Sequence, residues 1–141
     1  MRTVNYKTLI ATFVLVFAVA FASNAQGQDK KLEKAENKFC NSISEFASSL
    51  VTLGETNGDS SMDDFNKAYK NAQKAYNKFE KSAAKLEKVE IKESTKAYNK
   101  MVDSINKIDG DNKTADAADE IGDNIDATAA SIADIMTVVC Q

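Results

Sequence analysis

One stretch of the sequence constrains the fold more than any other, because its apolar side chains recur at alternating intervals of three and four residues. They are Met62, Phe65, Tyr69, Ala72, Tyr76, Phe79, Ala83 and Leu86. This spacing places every member on one face of an α-helix, whereas a β-strand would need alternation by twos. The stretch therefore predicts a long amphipathic helix that buries this face against other elements.

Three other stretches have the same helical spacing. The first contains Leu32, Phe39, Ile43, Phe46, Leu50 and Leu53; the next contains Ile91, Tyr98, Met101, Ile105 and Ile108; the last, beginning near Thr114, contains Ala118, Ile121, Ile125, Thr128, Ile132, Ile135 and Val139. Proline is absent, and turn signals such as Asn57-Gly58 lie between the stretches. The pattern predicts an all-α fold, an antiparallel up-down bundle with coiled-coil-like packing.

The number of helices depends on the region after Leu86, where the apolar spacing slips by one residue. Val89 and Ile91 are β-branched and weaken a helix there, so we place a bend or short turn at about 88–93. A turn gives four helices, and a bend gives three, with the second long and bent. Ser61 followed by Asp64 resembles a capping box and predicts the start of the second helix.

The amino-terminal residues have the pattern of a secretory signal. Two basic residues precede an apolar run from Leu9 to Ala22, and the run ends at small residues before Gln26. The run is shorter than the ~20 residues that span a bilayer. We expect cleavage after residue 25, with an uncleaved membrane anchor as the alternative, and export to the periplasm or the extracellular space. We also expect a bacterial source, since the cleavage region resembles bacterial export signals. Residues 26–141 then form one domain.

Exactly two cysteines, Cys40 and Cys140, follow the predicted cleavage site. In an oxidising compartment an isolated pair is expected to form a disulfide. Cys40 lies about ten residues into the first helix, so about 15 Å of helix would extend beyond the bridge. We expect residues 26–37 to be loosely held, unless a kink near Gly122 relieves the mismatch.

The residue types argue against several classes of function. The chain has no histidine, no glycine-rich phosphate loop and no nucleophile elbow. We therefore expect no catalytic site, no metal site and no cofactor. Residues 26–141 carry sixteen lysines, no arginine and twenty-one acidic residues, a formal charge of −5 that disfavours nucleic acid as a partner.

Two clusters of charge are predicted to face away from the core. The basic face, on the second helix, consists of Lys67, Lys70, Lys74, Lys78, Lys81, Lys85 and Lys88. The acidic face, on the last helix, consists of Asp116, Asp119, Glu120, Asp123 and Asp126. Because both point outward, they cannot neutralise each other within one bundle, and the molecule should be electrically two-sided.

Three tyrosines, Tyr69, Tyr76 and Tyr98, lie at apolar positions and are candidates for lining a ligand pocket, although such residues more often belong to the core.

The first hypothesis for function is an exported, non-enzymatic module that binds a protein or an anionic envelope component, with weak self-association as a further expectation. A carrier with an apolar cavity and a secreted inhibitor or effector are the alternatives.

Overall fold

A computed structural model describes most of the chain, namely residues 30–58, 60–108 and 114–141. The predicted signal peptide, residues 1–25, lies outside the described residues. The described part contains four helices: α1 (Lys30–Thr56), α2 (Met62–Ala83), α3 (Lys92–Asn106) and α4 (Ala115–Val139). The all-α prediction is confirmed, in its four-helix form.

The helices α2 and α4 begin where the sequence predicts. The Ser61 hydroxyl accepts a hydrogen bond from the backbone N–H of Asp64 at 3.2 Å and donates one to the Asp64 carboxylate at 2.9 Å. At the start of α4, the Thr114 hydroxyl accepts from the backbone N–H of Ala117 at 3.2 Å. Each cap satisfies a backbone donor that the first helical turn leaves without an intrahelical partner.

The connection between α2 and α3 comprises residues 84–91, so α2 ends about four residues earlier than predicted. Two tight turns follow the helix, with hydrogen bonds from the N–H of Lys85 to the carbonyl of Ser82 and from the N–H of Leu86 to the carbonyl of Ala83. Leu86 was expected on the helical stripe of α2. It lies in the connection instead, where the turns bring its side chain into the core.

The core is centred on aromatic rings from three helices. Phe46 of α1 lies with its ring centroid 5.4 Å from Tyr76, 5.7 Å from Phe79 and 5.8 Å from Tyr98. The main helix pairs are α1 with α2, α3 with α4, and α1 with α4. Thr128, predicted to complete the apolar stripe of α4, is fully buried and donates its hydroxyl to the carbonyl of Asn124 at 2.7 Å.

The disulfide between Cys40 and Cys140 is present, with a Cα–Cα distance of 5.8 Å. It ties the middle of α1 to the residue that ends α4. Residues 30–37 form the first turns of α1, while residues 26–29 lie outside the described part, so the looseness of 26–37 stays a prediction. The helix α4 is continuous through Gly122.

Candidate functional site: a lysine groove and two charged faces

The seven lysines of the predicted basic face are all exposed. Five lie on α2, whereas Lys85 and Lys88 lie in the connection that follows it, because α2 ends at Ala83. The face therefore continues past the end of the helix and around the end of the bundle.

A groove between α1 and α2 gathers part of this face. Its volume is about 360 Å³, and the lysines that line it are Lys38, Lys78, Lys81 and Lys85. Lys38 comes from α1 and was not among the predicted site residues. No local sequence signal marks it. The antiparallel pairing of α1 with α2 brings it to the groove, since residue 45 lies beside residue 78 and residue 42 lies beside residue 82. We call these four lysines, with Asn41, the lysine groove.

One carboxylate reaches the lysine groove. Glu45 lies 2.8 Å from the ammonium nitrogen of Lys78, and both side chains are more than half exposed, so the pair contributes little to stability. Within the described part of the chain, Lys38, Lys81 and Lys85 have no carboxylate within ion-pair distance. Three lysines without an ion-pair partner among the described residues therefore line one depression.

The floor of the lysine groove contains two serine hydroxyls. The Oγ atoms of Ser42 and Ser82 lie 2.5 Å apart, and each also lies within hydrogen-bond distance of a backbone carbonyl in its own helix. The two hydroxyl protons are shared among three contacts: one between the serines and one from each serine to a carbonyl. Neither serine therefore has a proton left to donate to a ligand. The donors available to an anion are thus the lysine ammonium groups and the Asn41 amide.

The predicted acidic face lies on α4. Asp116, Asp119, Glu120 and Asp123 are exposed, and Asp126 is half-buried. Glu120 pairs with Lys107, at the end of α3, at 3.1 Å. In the described residues no ion pair joins the α2 lysines to the α4 carboxylates. Among the described residues, the lysines of α2 and the carboxylates of α4 therefore do not neutralise each other through direct ion pairs.

Among the acidic residues that the structure describes, Asp126 is the one with a shifted pKa. Burial raises the pKa of the Asp126 carboxyl above its ordinary value, and the negative charge of Asp123 raises it further. Both effects disfavour the charged form in the folded protein, so the ionised carboxylate at neutral pH lowers the stability of the fold.

This shift predicts the behaviour of Asp126→Asn. In the wild type the destabilisation by the ionised Asp126 carboxylate is present at pH values above its folded-state pKa. It is absent below the ordinary aspartate pKa, where the carboxyl is protonated in both the folded and the unfolded protein. The variant should therefore be more stable at pH 7, by less than about 1 kcal/mol because solvent screens a part-exposed group. Urea unfolding at pH 7 and pH 3 should show this gain shrinking on acidification. The control is Asp119→Asn, which removes an exposed acid from the same helix. An equal gain in stability for this variant would contradict the assignment of the destabilisation to Asp126.

The three tyrosines lie together in the structure. The rings of Tyr76 and Tyr98 are stacked, with centroids 3.7 Å apart and planes 8° from parallel, and the Tyr76 hydroxyl donates to Thr95 Oγ1 at 3.0 Å. Burial raises the pKa of Tyr69, Tyr76 and Tyr98 above the ordinary phenol value. None of the three lines the lysine groove, and the stacked pair of rings links α2 to α3.

Across 30–58, 60–108 and 114–141, no group of three or more Asp, Glu and Cys side chains is placed to hold a metal ion. None of the helices described here has the length and apolarity needed to cross a membrane. Comparison of the chain with protein-family models, with curated proteins and with solved structures found no match.

Proposed function

We propose that this chain is an exported, non-enzymatic helical module that binds an anionic component of the cell envelope through the lysine groove. The observation that carries the proposal is the convergence of lysines from two helices: Lys38 of α1 comes to the same depression as Lys81 and Lys85. The Cys40–Cys140 bridge supports export, because disulfides persist in oxidising compartments.

The distribution of charge supports a fixed orientation on such a surface. The helix α4 has no basic residue, and α1 has none after Lys38. The lysines that the structure describes lie at the start of α1, on α2 and the connection after it, on α3, and at position 107 directly after α3. An anionic surface would attract the lysine groove and repel α4, so the acidic face would point away from the surface.

The ligand chemistry is that of an extended array of phosphate, sulfate or carboxylate groups. Lysine ammonium groups act as hydrated point charges without the planar fork of arginine, so they favour charge density over bidentate geometry. Binding should therefore depend strongly on ionic strength and weakly on the exact anion.

The test is the binding of a triple variant, Lys38→Gln with Lys81→Gln and Lys85→Gln, to vesicles of phosphatidylglycerol and phosphatidylcholine. Each lysine near an anionic surface contributes about 1 kcal/mol, so the variant should bind roughly 100-fold more weakly. Co-sedimentation measures the bound fraction. A matched variant, Lys92→Gln with Lys96→Gln and Lys100→Gln, removes the same charge from the exposed surface of α3 and should bind nearly as well as the wild type.

Equal losses in the two variants would show that net charge alone drives binding and would refute the lysine groove. Binding that persists at roughly 1 M salt, where the Debye length is ~3 Å, would also contradict the proposal. Soluble dextran sulfate in place of vesicles tests whether the lysine groove needs a membrane surface. Because lysines discriminate weakly among anions, we expect a similar loss with dextran sulfate; a loss with vesicles only would restrict the ligand to lipid headgroups.

A further inference from the structure

A second groove lies between α1 and α4, on a different part of the surface from the lysine groove. Its volume is about 540 Å³. Leu50 of α1 and Ile125 of α4, both nearly fully buried, form part of its wall. The remaining residues that line it are Ala47, Val51, Asp126, Ala127, Ala129, Ala130, Ala133 and Asp134. We call this the alanine groove.

The alanine groove exists because the facing residues of α4 are too small to fill the space beside α1. Five of the ten lining residues are alanines, and four of those lie on α4. A methyl group in place of a leucine or isoleucine side chain leaves open an apolar channel along the two helices. A concave apolar surface of this size is the kind of feature that receives the apolar stripe of another helix.

The charges around the alanine groove are of one sign. Asp126 and Asp134 lie on its α4 side, eight residues and thus about 12 Å apart along the helix. No basic residue occurs on α4 or on α1 after Lys38. Within the described residues, neither aspartate forms an ion pair. Asp126 is half-buried at this edge, with its pKa raised, so a cation from outside would relieve an existing electrostatic penalty.

We propose that the alanine groove binds a cationic amphipathic helix of a partner protein, with the apolar stripe of that helix in the groove and its lysine or arginine side chains paired with Asp126 and Asp134. The proposal is independent of the lysine groove and its ligand.

Charge complementarity favours this occupant over the others. A second copy placing α4 against α4 would bring carboxylates against carboxylates. A second copy placing its α2 lysines there would offer no apolar side chain, because every exposed residue of α2 is polar. A fatty acid would bring its own negative charge to the two aspartates.

The experiment uses the oxidised protein and three synthetic helical peptides. The first has a leucine stripe flanked by lysines, the second has the same stripe flanked by glutamates, and the third has the composition of the first in an order that destroys the stripe. Fluorescence anisotropy measures Kd. The lysine-flanked peptide should bind, and the other two at least about tenfold more weakly, since both apolar burial and charge pairing are needed.

Variants locate the binding. Asp126→Asn with Asp134→Asn should weaken binding of the lysine-flanked peptide about tenfold, and Ala130→Arg, at an exposed position in the groove, should abolish it. Asp103→Asn with Asp119→Asn removes the same charge elsewhere and should leave Kd within about twofold.

Equal affinity for the scrambled peptide, or equal effects of the two aspartate pairs, would overturn the proposal. A dimer of the protein alone that Ala130→Arg dissociates in sedimentation would identify a second copy as the occupant and would also overturn it.

Discussion

Replacing both Cys40 and Cys140 with serine is expected to lower the free energy of unfolding by about 4 to 5 kcal/mol. The bridge joins positions 100 residues apart. Cross-linking so distant a pair removes much of the conformational entropy of the unfolded chain, an effect that grows with loop length. The loss is large against the roughly 5–15 kcal/mol that stabilises ordinary domains.

Guanidinium unfolding of the double variant, compared with the oxidised wild type, measures this loss. Both cysteines are only part-buried, so serine itself should add little. The control is the wild type under a reducing agent, which should unfold at the same midpoint as the double variant. A loss below about 1 kcal/mol would show that helix packing alone holds the bundle together and would contradict the role assigned to the bridge.

The second large effect is expected from Phe46→Ala. Phe46 is fully buried, and its ring packs against Tyr76, Phe79 and Tyr98 from two other helices. Truncation removes apolar burial and leaves a cavity that the neighbouring side chains on these two helices cannot fully close. The expected cost is about 3–5 kcal/mol, measured by urea unfolding of the oxidised protein.

Leu32→Ala is the matched control for this truncation. Leu32 lies on the same helix and in the same predicted stripe, but 53% of it is exposed. Its replacement should change the free energy of unfolding by less than about 0.5 kcal/mol. Similar costs for the two variants would contradict the placement of the core around Phe46.

The sequence was sufficient to predict the helical stretches and the starts of α2 and α4, because spacing and capping are local. It also predicted the disulfide, because exactly two cysteines follow the predicted cleavage site. Helical spacing identifies the buried face, and Ser61 and Thr114 mark the starts of α2 and α4. Leu32 shows that helical spacing alone does not establish burial. Its spacing matches that of Phe39, but α1 extends beyond the part of the bundle in which that spacing is buried.

The end of α2 could not be predicted in the same way. No glycine or proline marks it, and Leu86 continues the apolar spacing. The helix ends at Ala83 because two tight turns bring Leu86 into the core and lead the chain towards α3. The residue at which α2 ends therefore depends on where the neighbouring helices lie, and the spacing of apolar residues within one segment does not show this.

The candidate sites show a similar division. The basic and acidic faces follow from helical spacing, since charged residues opposite an apolar stripe point outward. Neither the lysine groove nor the alanine groove follows from helical spacing. Lys38 joins the lysine groove through the pairing of α1 with α2, and the alanine groove arises from small side chains facing a neighbouring helix. Both depend on which helices become neighbours.

Hydrogen exchange with and without phosphatidylglycerol vesicles tests the central claim most directly, because it locates the bound surface along the chain. The account predicts slower exchange in the segments 34–45 and 78–88, which contain the lysine groove, and unchanged exchange in 119–134 of α4. Protection of α4, or equal protection of all four helices, would contradict binding through the lysine groove.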